Sequence, residues 1–141
     1  MGVAINRKAF VIALVLALVP STFLQAQQQG GKGPRYNPAT VVTLTGTVEN
    51  VTQQTTSGRW SGTHLSLKTD DGIIDVHLGP TRFLKDQGLT VTAGQKIEVT
   101  GSKIKYQNTD ALIARTVKVG EKTFELRDEQ GYPKWSRNQW N

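Results

Sequence analysis

Two short runs, THLSLKT and IIDVHL, alternate apolar and polar residues on either side of Asp70-Asp71-Gly72. A period of two belongs to a strand with one buried face, and Asp-Gly between two such strands marks a hairpin. A helix cannot use that spacing, because its apolar positions recur every three to four residues. The apolar positions share a face when Leu65, Leu67 and Thr69 stand opposite Leu78, Val76 and Ile74. This register predicts a two-residue Asp71-Gly72 turn. A slip by one residue would turn every apolar side chain to solvent.

The same period runs through most of the chain. In TVVTLTGTVENV, Val42, Leu44, Gly46 and Val48 alternate with Thr43, Thr45, Thr47 and Glu49, and a mid-strand glycine predicts a sharp bend or a bulge. After the hairpin, Gly79-Pro80 opens a short helix, TRFLKDQ. Proline suits the first helical position, and Gly88 is placed to end the helix in the left-handed conformation. QKIEVTGSKIKY reads as a fourth strand whose apolar phase slips by one residue at Gly101-Ser102, as a bulge would cause. ALIARTVKV is a fifth, with Ile113, Val117 and Val119 marking an inward face that Arg115 interrupts. TFELR is a short sixth, and DEQGYPKWSRNQWN is an aromatic tail.

The N-terminus predicts export. Arg7 and Lys8 precede the apolar run AFVIALVLALV, Pro20 breaks it, and Leu24-Gln25-Ala26 offers a small residue for cleavage. The run falls short of the about 20 residues needed to cross a bilayer. A cleaved signal peptide over residues 1–26 is therefore expected, with no transmembrane segment after it, and the lack of cysteine excludes a lipid-anchored form. Residues 27–39 form a flexible leader, 40–127 a single β domain and 128–141 a tail. Small exported domains often rely on disulfides; this one must rely on packing and strand pairing. The net charge of +6 includes Arg7 and Lys8. The remaining lysines are scattered, which suits weak attraction to an anionic polymer or surface better than a nucleic-acid site.

The order β-β-β-α-β-β, followed by a short strand, resembles the OB-fold, a five-stranded Greek-key barrel, over residues 40–120. Ligands of that fold usually meet the outer face of strands two and three and two flanking loops. VHLGPTRFL, EVTGSKI and LRDEQGYPKW resemble phrases of small exported bacterial OB-fold proteins of largely unknown function. These include the small domain of the magnetosome S and X proteins and, more loosely, the periplasmic bacterial OB-fold stress proteins. The resemblance implies an exported binding or accessory module rather than an enzyme. Without paired cysteines, no covalent haem role carries over.

The predicted register puts His64, Ser66 and Lys68 on the outer face of strand two and Asp75 and His77 on that of strand three. Lys68 then faces Asp75, Ser66 faces His77, and the only two histidines are diagonal neighbours. Two imidazoles beside Asp75 have the donor types for Zn²⁺ or Cu²⁺; exposed polar residues on a hairpin explain the same pattern. Arg59 and Trp60 lie in the first flanking loop, where Trp60 would stack on a ring with Arg59 engaging an anion, or else fold back over the barrel rim. Tyr106, Asn108 and Asp110 stand where the second loop falls, with Tyr106 expected in the core. Trp135 and Trp140 recruit a partner or pack on the barrel. Lys103, Lys105, Lys118 and Lys122 form a basic edge or guard against sheet-to-sheet aggregation.

No G-x-S-x-G elbow, H-E-x-x-H, phosphate-binding glycine loop or cysteine nucleophile is present. Asp70 and Asp71 suit a turn, and the Asn50-Val51-Thr52 sequon falls within a threonine-rich strand. Three functions compete. One is a non-catalytic binding module using Arg59, Trp60, His64, Lys68, Asp75 and His77. The second is a metal-handling accessory protein centred on His64, His77 and Asp75. The third is an interaction protein that docks a protein partner through its aromatic tail.

Overall fold

The computed structural model describes residues 34–54 and 60–135. The expected signal segment, Arg59 and Trp140 lie outside them. A 3-10 turn at Pro38–Thr40 leads into β1 (Val41–Gln54), followed by β2 (Gly62–Thr69) and β3 (Gly72–Gly79). Helix α1 (Thr81–Asp86) precedes β4 (Lys96–Tyr106), β5 (Thr109–Val119) and β6 (Lys122–Glu125).

The long first strand makes the barrel possible. Its first half, Val41–Thr47, pairs with β4, and from Thr47 onward it pairs with β2. Gly46 sits at this change of partner, where a Cβ would collide with the Lys68 carbonyl. Glu49 is the extra residue of a bulge between Val48 and Asn50. A parallel pairing of β3 with β5 over Asp75–His77 and Ala111–Ile113 closes the sheet on itself. The result is a closed five-stranded, OB-fold-like barrel with β6 added on the outside of β5. Leu65, Leu67, Val76, Val99, Leu112 and Val117 fill its interior.

Helix α1 ends as the sequence predicts. Gly88 adopts φ +75°; its N–H reaches the Lys85 carbonyl, and the Leu89 N–H reaches that of Leu84. Both leucines are in the core, so the helix stop doubles as a packing contact. Pro80 caps the helix from outside instead of opening its first turn.

The hairpin keeps its predicted faces but not its predicted pairs. Leu65 stands opposite Val76, and Thr69 opposite Gly72, so the turn is Asp70-Asp71. The offset from the predicted register is two residues, which alternation cannot detect because it leaves each residue on the same face. Thr69 selects this turn: its Oγ1 donates to the Gly72 carbonyl at 2.8 Å and accepts from the Asp71 N–H at 3.2 Å. The predicted Lys68–Asp75 and Ser66–His77 pairs are therefore replaced. His64 faces His77 directly, Ser66 faces Asp75, and Lys68 faces Ile73.

The irregularity at Gly101 is present, but the extra residue is Arg115 on β5. Strand β4 keeps its alternation. Ile104 and Tyr106 lie on its outer side, where they join Trp60, Ala111 and Ile113 in a second apolar cluster. Tyr106 and Ile113 were both expected inside the barrel, and both instead pack on its outer surface. Asn108, at φ 63° in the turn after Tyr106, and Asp110 at the start of β5 remain at the second loop.

Candidate functional site

The outer face of β2 and β3 is covered. His64 and His77 are 1% and 2% exposed, under the indole of Trp60, itself 4% exposed. Trp60 meets His64 edge-on with ring centres 4.7 Å apart, and stacks on His77 at 5.1 Å and on Tyr106 at 4.5 Å. Of the two placements open to Trp60, the structure has the indole folded back on the barrel.

The two imidazoles are in register, with His77 Nδ1 3.1 Å from His64 Nε2. His64 Nε2 also lies 2.6 Å from the Trp60 carbonyl, an acceptor with no proton to give. This contact requires the proton on His64 Nε2, which removes the lone pair a metal would need there. Asp75 sits at the other end of the ring, 3.3 Å from Nδ1. Among the described residues, no three His, Cys, Asp or Glu side chains gather as a metal site. Trp60, His64, Asp75 and His77 thus lie together, as a hydrogen-bonded, roofed group. Lys68 is 65% exposed and points to Glu49 at 4.0 Å.

The open concavity lies at the end of this face, and the chain's two flanking segments build its walls. Because Arg115 is an extra residue in β5, its carbonyl is available to the tail: it accepts from Leu126 N–H at 2.7 Å and Arg127 N–H at 3.2 Å. Asp128 then folds the tail back, its carboxylate accepting from the Gln130 and Tyr132 N–H groups at 3.0 and 2.9 Å. Lys134 N–H returns to the Leu126 carbonyl at 3.0 Å. This small hairpin delivers Trp135 onto Phe83, with ring centres 5.2 Å apart. Gly79 makes room for it, since a Cβ there would lie 2.8 Å from the indole. On the opposite side the leader is pinned by the Asn37 N–H, which donates to Ser102 Oγ at 2.9 Å. Tyr36 packs its ring against Gly131, where a Cβ would collide with it.

Between these walls is a cleft of about 450 Å³, with Arg127, Tyr36, Trp135 and His77 among its lining. Arg127 is 5% exposed. Its Nη1 donates to the Leu78 carbonyl at 3.2 Å and to the Ala114 carbonyl, and Trp135 lies across the guanidinium, 4.7 Å from Cζ to the ring centre. Burial pushes the Arg127 pKa down to about 10, opposed by Tyr36; the group stays cationic at neutral pH. The Tyr36 hydroxyl is buried without a hydrogen-bond partner.

Sequence reasoning placed Tyr36 in a flexible leader and did not single out Arg127. Neither shows periodicity, and each gains its position from a contact with a distant segment. The accessible signal was the phrase LRDEQGYPKW, in which an arginine, a Gly-containing turn and a tryptophan follow the last strand.

The sequence model of the MamS/MamX magnetosome protein family matches residues 40–124. That span runs from the 3-10 turn into β6, so Tyr36, Arg127 and Trp135 flank it. No curated protein matches the chain.

Proposed function

Because the chain belongs to the MamS/MamX magnetosome protein family, we propose that it is an exported, non-catalytic, magnetosome-associated module that binds a small ligand in the cleft beside β3. The observation that carries this reading is the cleft itself. At about 450 Å³ it falls within the range of small-ligand sites, and it combines an aromatic wall with a few polar groups in the way such sites do. The outer histidine face is roofed by Trp60, which favours the rim over the face as the ligand position. Trp135 is engaged with Phe83 and Arg127, which speaks against its being a free docking handle. The N-terminal Arg7-Lys8 and apolar run support export, and the missing nucleophile, metal-helix and phosphate-loop motifs support a non-catalytic role.

Native mass spectrometry of protein purified from the exported fraction tests the proposal. The expected result is a chain beginning near Gln27 that carries one small molecule, released when the protein unfolds. A stable complex with another protein and no small molecule would replace this reading with the interaction-protein one. Intact Met1 in a membrane fraction would overturn export.

A further inference from the structure

Arg127 and Tyr36, both in the lining of the cleft, keep donors that have no acceptor among the described residues. A guanidinium has five N–H donors and no acceptor, and both Arg127 hydrogen bonds leave from Nη1. Nε and Nη2 therefore have no acceptor among the described residues. No carboxylate pairs with this buried cation: the ion pairs among the described residues are His64–Asp75, Lys68–Glu49, Lys134–Glu125 and those of Asp110 with Lys103 and Lys105. The Tyr36 hydroxyl is buried and unpartnered. Its proton cannot go to Arg127, because a guanidinium accepts no hydrogen bond.

We infer that the cleft binds a small oxyanion, a carboxylate or a phosphate carried on an organic body, with Arg127 as anchor and the Tyr36 hydroxyl as second donor. An oxyanion is the ligand class that supplies acceptors to both groups while neutralising the charge. The free edge of the guanidinium has the fork geometry that carboxylate and phosphate oxygens match in pairs. Trp135, stacked across it, holds the plane of that fork. Among the described residues the cleft lining contains Arg35 as a second guanidinium and no Asp or Glu, so no acidic side chain among them competes for the cation. The chain's net positive charge favours the approach of such a ligand.

This inference rests on the binding-module reading and names its ligand class. It is tested by calorimetric titration at constant ionic strength with inorganic phosphate, citrate and, as the uncharged counterpart, triethyl citrate. Citrate or phosphate should bind, the stronger of the two identifying the anion type, and triethyl citrate should not. Tyr36→Phe keeps the ring on Gly131 and should weaken binding about tenfold, the loss of one hydrogen bond to a charged acceptor. Arg127→Lys keeps the charge, loses the fork and should weaken it further, with melting curves checking that both variants fold. Equal binding of citrate and triethyl citrate would overturn the oxyanion assignment and leave the binding module standing. The assignment also fails if neither anion binds the wild type, or if Tyr36→Phe binds as the wild type does. In those two cases, a neutral molecule co-purifying with the exported protein would still support the module.

Discussion

Replacing Trp60 by alanine tests whether the outer face of β2 and β3 is a second core or a ligand surface. The indole is almost fully buried against His64, His77 and Tyr106. A tryptophan buries roughly 150–250 Å², which at about 25 cal/mol per Å² amounts to about 4–6 kcal/mol. Its Nε1 is buried without a partner, an offsetting cost of about 1–3 kcal/mol. Packing wins, and Trp60→Ala should destabilise the protein by about 2–4 kcal/mol in urea melts. Trp60→Phe should cost less, because it keeps ring contacts and removes the unpaired N–H. A second readout is independent of stability: the two imidazoles should resist diethyl pyrocarbonate in the wild type and react in Trp60→Ala under native conditions. A change within about 0.5 kcal/mol, the range of ordinary surface substitutions, together with equal histidine reactivity in both proteins, would refute the covered-face account.

Leu67→Ala should cost about 2–5 kcal/mol as a truncation in the barrel interior, whereas Ser66→Ala, on the outer face, should change the denaturant midpoint little. Gly101→Ala should be strongly destabilising in thermal melts, because a Cβ would collide with the Ile113 carbonyl and lie 2.9 Å from the Ala114 Cα. The Asp110 carboxyl is held below its ordinary value, chiefly by its hydrogen bond to Lys105 at 2.7 Å. This contribution to stability is complete above the usual carboxylate range and is lost as pH falls through the lowered value. An NMR titration of Lys105→Met should show the Asp110 midpoint moving back up.

The strands were legible because each buries one side chain in two, and the hairpin faces around Leu65, Leu67, Val76 and Leu78 follow from that alone. The register did not, because a shift by two residues costs the pattern nothing; it was set by the Thr69 hydroxyl across the Asp70-Asp71 turn. The change of phase after Gly101 was visible, but alternation along one strand cannot say which partner holds the extra residue. Ile104, Tyr106 and Ile113 broke the inward pattern because a second set of apolar residues waits outside the barrel. Read that way, the same irregularity would have predicted a roof over His64 and His77.

That roof and the extra residue have linked consequences for function. Ile113 and Ala111 turn outward to meet Trp60, sealing the part of the sheet where OB-fold ligands are usually found. Two residues further along β5, the displaced carbonyl of Arg115 captures the backbone of Leu126 and Arg127 and so draws the tail across the barrel end. There the guanidinium of Arg127 is buried by Trp135 and carbonyl oxygens, without a carboxylate among the described residues to balance it. A buried cation held this way carries a desolvation cost, which the charge and acceptors of a bound anion would offset. On the proposed reading, the broad face of the barrel is closed to ligands and a narrower surface at its rim takes its place, with selectivity that rests on charge.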